Sequence, residues 1–319
     1  MSEQKLVLVS GIKPTGDLHI GNYFGAMRQL VELSGTGKYR PFIFVADYHA
    51  LNTMQDAEEM KRRTRELVMA YLAVGLDPKD VTFFKQSDVP AHTELCWIFD
   101  TITTMPYLMR AHAFKDAEAK SKEISVGTFN YPMLMAADIL LYDTSVVPVG
   151  ADQKQHIEIA RDTAEKFNRV FKTEVFKLPE PYILPDVAVV PGTDGQKMSK
   201  SYGNVIPLFA SRDELAKAVM GIVTDSSSDR PENVYRIHHL FRSEQTLNAL
   251  YEEHRGNYKA LKETLVEDLD RYLAPMRAKY EELKKNSDVV DDVLADGKRE
   301  ARVVSEAKME QVRAAIGVS

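Results

Sequence analysis

Two lysines three residues apart are the side chains best suited to chemistry in this sequence of 319 residues. Lys197 and Lys200 lie in GTDGQKMSKSYGN, residues 192 to 204, whose glycines and serines exclude a regular helix or a central strand. A mobile loop with two cations can follow a polyphosphate as its charge moves in a transition state. For these residue types alone, a solvated turn is the commoner outcome.

A second stretch, SGIKPTGDLHIGNYFGAM at residues 10 to 27, follows the apolar run LVLV. A glycine loop between a strand and a helix presents backbone N–H groups to an anion. Gly11 and Gly16 have the spacing of a P-loop, but Asp17 and Leu18 stand where that loop needs Lys and Ser/Thr. The dinucleotide pattern G-x-G-x-x-G is also missing. Both common phosphate loops are therefore excluded.

These loops need a scaffold, and the apolar runs KLVLVS, PFIFVAD, VTFFKQS and SVVPVGAD indicate one. Each run precedes a longer segment typical of a helix, which predicts an α/β fold with a doubly wound, Rossmann-like parallel sheet. Ligands bind such sheets at the carboxyl ends of the strands. The opening loop, Asp47-Tyr48-His49 and Gly150-Ala151-Asp152-Gln153 fall there, so we expect one shared site.

From about Pro231 onward no strand run occurs. Helical periodicity over residues 233–253, 258–285 and 289–316, interrupted at Gly256 and Gly297, predicts a separate all-helical C-terminal domain. We place a catalytic domain at residues 1–205 and a helical domain at 206–319, with 206–230 as the connecting segment.

The bulk properties exclude several classes of protein. No apolar run approaches the ~20 residues of a transmembrane span, and the first residues do not form a signal peptide, so we expect a cytoplasmic protein with no membrane partner. The single cysteine, Cys96, excludes an internal disulfide or a Cys-based metal site, and its apolar surroundings favour a buried thiol. A net charge of −6 does not by itself indicate a nucleic-acid partner.

The pair HIGN, residues 19 to 22, and KMSKS, residues 197 to 201, resembles the two signatures of class I aminoacyl-tRNA synthetases, the first of which usually reads H-I-G-H. The resemblance implies activation of an amino acid by ATP, release of pyrophosphate, and transfer of the adenylate's acyl group to tRNA. It implies catalytic roles for His19, Lys115, Lys197 and Lys200. It also implies an ATP site, with Mg²⁺ carried by ATP and no dedicated protein metal site. The implied ATP-binding residues are Lys13, Pro14, Thr15, Gly21, Asn22, Gly150, Ala151, Asp152, Val190, Lys197, Met198, Ser199, Lys200 and Ser201.

The identity of the amino acid depends on YPMLMAADILLY, residues 131 to 142, where Asp138 is the one charged residue. A buried carboxylate needs a partner, which can be a structural donor or a ligand donor such as an indole N–H. Residues 128 to 168 resemble bacterial tryptophanyl-tRNA synthetases, and the similarity extends over essentially the whole chain. The resemblance implies that Asp138 accepts the indole N–H, that Val9, Met135, Val147 and Val149 pack on the ring, and that His49, Tyr131 and Gln153 hold the ammonium and carboxylate end. Lys13 stands where many relatives have Gln.

The same resemblance implies a homodimer that binds tRNA(Trp), with the helical domain reading the anticodon. Residues 231 to 319 contain 15 Lys/Arg and 17 Asp/Glu, so their total charge does not indicate RNA binding. An RNA-binding face would require basic side chains to cluster on one side of the folded region. Lys298, Arg299 and Arg302 are candidates for phosphate contacts, with a solvated face as the alternative. We interpret His156, His238 and His239 as structural. Two other functions stay open, a tyrosine-specific relative and a nucleotidyltransferase acting on a small cofactor.

Overall fold

A computed structural model of the chain describes residues 5–14, 16–119, 123–150, 153–183, 189–224 and 230–318. Five parallel strands form one sheet in the order β3-β2-β1-β4-β5, which confirms the predicted α/β class with a doubly wound sheet. The strands are β1 (Leu6–Ile12), β2 (Tyr39–Val45), β3 (Thr82–Lys85), β4 (Val146–Val149) and β5 (Glu180–Ile183).

Helices connect the strands and form the rest of the chain. A π-helical turn, Tyr23–Met27, links the first two helices, and 3-10 turns occur at Gln86–Asp88 and Lys200–Tyr202. The α-helices of the described residues are α1 (Ile20–Asn22), α2 (Arg28–Ser34), α3 (Asp47–Ala50), α4 (Ala57–Ala73), α5 (Ala91–Ile102), α6 (Met105–Leu108), α7 (His112–Ala119), α8 (Val126–Leu140), α9 (Lys154–Phe171), α10 (Arg212–Met220), α11 (Glu232–His238), α12 (Glu244–Glu253), α13 (Tyr258–Lys285) and α14 (Asp288–Ile316).

The four predicted strands are β1 to β4, and β5 was not predicted. This four-residue strand at the edge of the sheet contains Pro181, which interrupts its apolar pattern and is tolerated because an edge strand has one unpaired side. The direction of winding changes between β1 and β4, since β2 and β3 lie on one side of β1 and β4 and β5 on the other. A ligand crevice is expected at this point.

Two apolar clusters fill the two faces of the sheet. Successive residues of β1 point to opposite faces, so Leu8 joins one cluster and Val9 the other. The Leu8 cluster includes Leu265 and Leu269 of α13, and the Val9 cluster includes Met309 of α14. The C-terminal helices therefore share their core with the sheet, while the proposed boundary near residue 205 stays a prediction.

Gly297 does not interrupt a helix, contrary to the sequence prediction. It lies inside α14 where that helix crosses β3, and a Cβ there would overlap the carbonyl group of Phe83. The glycine is needed because the helix backbone rests directly on the strand backbone. Gly256, by contrast, lies in the turn between α12 and α13 with φ +76°.

We therefore expect Gly297→Ala to lower the free energy of unfolding by about 1–3 kcal/mol, because the added methyl group forces α14 away from β3. Urea denaturation of the two proteins measures the difference. Gly25→Ala is the matched control, since a Cβ there meets no atom within 4 Å and the added side chain reduces unfolded-state freedom. Equal stability of Gly297→Ala and the parent chain would contradict the close packing.

Candidate active site

A cavity of about 380 Å³ opens at the carboxyl ends of β1, β2 and β4. One part of its wall is apolar and comes from the strands and α8. These residues are Val9, Phe44, Met135, Ile139 and Val147. The other part is polar, with side chains from the opening loop, α3, α8 and α9. These residues are Lys13, His49, Tyr131, Gln153 and His156, and Asp138 also lines the cavity.

The structure thus brings seven of the eight residues predicted for tryptophan binding to one cavity. Val149 is the exception: it is buried on β4 but does not line the cavity. Lys13, assigned to ATP from the sequence, lines the same cavity as Asp138. Its ammonium lies 5.9 Å from the centre of the Tyr131 ring, and burial lowers its pKa.

Asp138 is almost completely buried and accepts three hydrogen bonds from side chains. Oδ1 accepts from Gln86 Nε2 at 2.7 Å and pairs with His92 Nδ1 at 2.6 Å, while Oδ2 pairs with His49 Nε2 at 2.9 Å. Burial alone would raise the pKa of this carboxyl, but the hydrogen bonds from the two histidines outweigh it and hold the pKa at about 2. Asp138 is therefore an ionised acceptor at neutral pH.

The structure gives two histidines partners that the sequence did not predict. His49 Nε2 binds the Asp138 carboxylate, so this nitrogen is not available for the ammonium or carboxylate end of an amino acid. His156, interpreted as structural from the sequence, lines the cavity and pairs through Nε2 with the Tyr131 hydroxyl at 2.5 Å. Its spacing from Gln153, three residues along the same helix face, was a usable signal.

Gln86 and His92 were not predicted as site residues. Gln86 directly follows β3, so its position at a carboxyl strand end was visible in the sequence. His92 lies in the first turn of α5 after a proline, and nothing in its local pattern distinguishes it from a buried structural histidine.

The two signature loops lie against each other. Gly16 has φ +66°, a backbone conformation that favours glycine, and the Lys200 ammonium packs where a Cβ of residue 16 would be. The chain after the lysine loop then pairs with the opening loop: the Ile20 N–H donates to the Ile206 carbonyl at 3.0 Å, and the Leu208 N–H to the Leu18 carbonyl at 3.0 Å. Residues some 180 positions apart thereby form one surface.

A buried asparagine shapes the lysine loop. Asn204 Oδ1 accepts from the Ser199 N–H at 2.8 Å, and its Nδ2 donates to the Lys197 carbonyl at 3.1 Å and to Asp194 at 2.7 Å. The Met198 N–H donates to the carbonyl of Val190 at 2.9 Å. These bonds replace regular secondary structure, and Lys197 and Lys200 remain exposed on the loop.

His19 precedes α1 and is 7% exposed. Burial, and secondly the charge of Lys200, lower the pKa of its imidazole to about 4, so the ring is neutral at neutral pH. Its backbone N–H donates to Asn22 Oδ1 at 3.1 Å, and among the described residues Nδ1 has no hydrogen-bond partner. A buried polar atom without a protein partner suits a ligand contact.

The remaining predicted residues are placed as follows. Lys115 is exposed on α7 and does not line the cavity. Gly150 is exposed after β4, Val190 is buried, and Ser199 and Ser201 share a hydrogen bond of 2.9 Å. Pro14 lines a second cavity, of about 260 Å³, beside Gly16 and Arg63. Thr15, Ala151 and Asp152 lie outside the described residues.

Three further observations bear on function classes. Burial raises the pKa of the Cys96 thiol to about 12, which agrees with a non-catalytic cysteine. Within the described ranges, no three His, Cys, Asp or Glu side chains are grouped so that they could hold a metal ion. The helices seen in those ranges are too short or too polar to cross a membrane.

A doubly wound sheet with both signature loops at its carboxyl edge defines a class I aminoacyl-tRNA synthetase, and comparison with known proteins agrees. The sequence model of the family "tRNA synthetases class I (W and Y)" matches residues 1–290, so the chain belongs to this family.

Its relatives include enzymes named tryptophan--tRNA ligase. The Fusobacterium nucleatum protein is 48% identical over 97% of each chain, and the Rhodopirellula baltica protein is 43% identical over 98% of this chain and 99% of the relative. A crystal structure of tryptophanyl-tRNA synthetase from Campylobacter jejuni, complexed with ADP and tryptophan, superimposes with a TM-score of 0.91 at 42% identity over 98% of this chain and 100% of that chain. The predicted resemblance to tryptophanyl-tRNA synthetases is confirmed.

The contact between the two loops predicts that the charge of Lys200 affects the pKa of His19. We expect the His19 imidazole of the ligand-free protein to titrate near pH 4 and Lys200→Gln to raise that midpoint, because the variant removes a neighbouring positive charge. Above pH 6.5 both folded and unfolded states hold a neutral ring. As pH falls from 6.5 toward 4 only the unfolded state takes up the proton, so the His19 contribution to stability decreases in that window.

NMR of the ring protons, assigned with His19→Asn, measures the midpoint. Lys197→Gln is the matched control, because it neutralises the other exposed lysine of the same loop and should leave the midpoint unchanged. A midpoint that does not move in Lys200→Gln would contradict the contact.

Proposed function

We propose that this chain is a tryptophan--tRNA ligase, which activates L-tryptophan with ATP and transfers it to the 3′ end of tRNA(Trp). The observation that carries the proposal is an ionised, buried Asp138 in an apolar cavity beside the two signature loops. An indole N–H only donates, so a fixed carboxylate is its natural acceptor. The names of the relatives and the ligands of the Campylobacter jejuni structure support the same assignment.

In this proposal the tryptophan ring lies against Val9, Met135 and Val147, with its N–H on Asp138. The polar wall of the cavity receives the ammonium and carboxylate groups. Tyr131 and Gln153 supply hydrogen bonds there, and Lys13 supplies a positive charge for the carboxylate. His49 contributes by holding the Asp138 carboxylate in place through a hydrogen bond.

Activation needs no nucleophilic side chain. The tryptophan carboxylate attacks the α-phosphorus of ATP, a new P–O bond forms, and the bond to pyrophosphate breaks on the opposite side. Protein groups position the two reactants and neutralise the charge that grows on pyrophosphate. The phosphates lie among the opening loop, the neutral His19 ring and the ammonium of Lys200. Lys197 approaches them from the same loop as Lys200. Mg²⁺ enters with ATP.

We propose tRNA(Trp) as a partner because the chain belongs to this family. The basic residues of the helical region give this partner less support. Arg302 Nε donates to the Asp88 carbonyl at 2.6 Å, Lys298 lies 3.8 Å from the Asp88 carboxylate, and Arg299 pairs with Asp296 at 2.8 Å. These contacts favour the solvated, internally paired alternative over an RNA-binding cluster.

A second copy of the chain is the other proposed partner. Trp97 on α5 is 71% exposed and Met105 on α6 is 67% exposed, and both helices pack against α8. Large apolar side chains at this exposure are typical of an interface. We place the resulting homodimer in the cytoplasm, where it serves protein synthesis.

The decisive experiment is exchange of labelled pyrophosphate into ATP, measured with each of the twenty amino acids. We expect exchange with tryptophan and little with tyrosine, because the residues around Asp138 resemble those of tryptophanyl-tRNA synthetases. Exchange with tyrosine but not tryptophan would establish the tyrosine-specific alternative. Exchange with no amino acid would favour the nucleotidyltransferase alternative.

The second prediction concerns Lys200. We expect Lys200→Ala to lower the maximal exchange rate by about 100-fold, the usual loss when one transition-state donor is removed, and to leave the KM for tryptophan within about twofold. Steady-state exchange kinetics measure both constants. Lys38→Ala, an exposed lysine in the turn before β2, is the control and should match the parent enzyme. A large rise in KM with an unchanged rate would place Lys200 in ground-state binding instead.

A further inference from the structure

The two oxygens of Asp138 have different surroundings. Oδ1 is held by Gln86 and His92, both fully buried and neither lining the cavity. Oδ2 is held by His49, which does line it. Each carboxylate oxygen has about two acceptor positions, so two donors complete Oδ1 while one position on Oδ2 stays available. The oxygen that can accept from a ligand is therefore Oδ2.

His92 is fixed from both sides. Its Nε2 lies 2.8 Å from the Tyr142 hydroxyl, and the rings of Phe44 and Phe84 lie 5.6 and 6.2 Å from its own ring centre. A carboxylate only accepts, so Nδ1 carries the proton toward Asp138. At the other end of the ring, Nε2 is hydrogen-bonded to the Tyr142 hydroxyl. The imidazole is therefore held at both ends and cannot turn without losing its bonds to Tyr142 and Asp138.

We propose that His92 is a positioning residue for tryptophan selection. It holds Oδ1 so that the carboxylate plane presents Oδ2 to the indole N–H, although His92 itself never touches the substrate. The inference rests on the proposed function, specifically on the contact between Asp138 and the indole. It assigns the selectivity of the cavity to a pair of side chains behind its wall, His92 and Tyr142.

The test compares tryptophan with 3-(benzothiophen-3-yl)alanine, which has almost the same shape but sulfur in place of the N–H. The quantity measured is the ratio of the two kcat/KM values in pyrophosphate exchange. We expect a preference for tryptophan in the parent enzyme and a fall of about tenfold in that ratio for both Asp138→Asn and His92→Leu. The loss should occur in the tryptophan KM, with the constants for the sulfur analogue nearly unchanged.

Three variants separate positioning from general destabilisation. His92→Asn retains an N–H near the position of Nδ1, so we expect it to recover most of the ratio. Tyr142→Phe keeps the ring but frees His92 Nε2, so we expect a fall of about threefold, which also decides the matter if His92→Leu does not fold. His238→Leu is the matched control: His238 is equally buried but pairs with Asp268, so its loss should reduce stability and leave the ratio unchanged.

The experiment distinguishes failure of the proposed substrate contact from failure of the positioning role of His92. A parent enzyme that does not prefer tryptophan over the sulfur analogue would overturn the contact between Asp138 and the indole, and with it the proposed seat of the substrate. A preference that is lost in Asp138→Asn but kept in folded His92→Leu and in Tyr142→Phe would overturn the positioning role alone.

Discussion

Burial of one carboxylate is the constraint on which the site depends. A charged group that loses contact with water has to be surrounded by donors, and Asp138 obtains them from three different segments of the chain. His49 follows β2, Gln86 follows β3, and His92 begins α5. The three bonds that hold the Asp138 carboxylate, two of which lower its pKa, therefore also fix the carboxyl ends of two strands relative to α8. Structure and selectivity use one set of interactions.

The two signature loops are joined by a different kind of constraint. The Lys200 ammonium lies directly against Gly16, whose positive φ favours glycine, and the backbone bonds of Ile206 and Leu208 fix the register of this contact. Burial is the main reason that the His19 imidazole stays neutral, and the positive charge of Lys200 lowers its pKa further. The lysine loop thus contributes to the protonation state of its neighbour.

Most of the fold could be predicted because its elements have strong local patterns. The strands β1 to β4 are apolar runs, and α13 and α14 keep their periodicity to within a residue or two of the observed ends. β5 and the course of α14 through Gly297 could not be predicted, since one depends on pairing at a sheet edge and the other on contact with Phe83, distant in the chain. Neither feature has a local signal.

The residues of the site likewise divide into those that could be predicted from the sequence and those that could not. Most residues that touch the cavity lie at or after strand ends or on α8, where position in the fold or the family motif indicates them, whereas His156 on α9 was not predicted. His92, Tyr142 and Asn204 act through another residue, so only the three-dimensional contacts reveal them. His49 was predicted at this site but its bond to Asp138 was not, because sequence reasoning identifies which strand ends converge and not which atoms meet.

The number of donors already bonded to Asp138 also determines how strongly the cavity can select one amino acid over another. An ionised carboxylate with no protein donors would bind an indole tightly, but the free protein could not bury it. With three donors already present, the indole N–H of the proposed substrate would add a fourth donor rather than neutralise a bare charge. The selectivity available from that one bond is about 1–3 kcal/mol, or roughly fivefold to 150-fold. Further discrimination has to come from the shape of the apolar wall, which rejects rings that do not fit between Val9, Met135 and Val147.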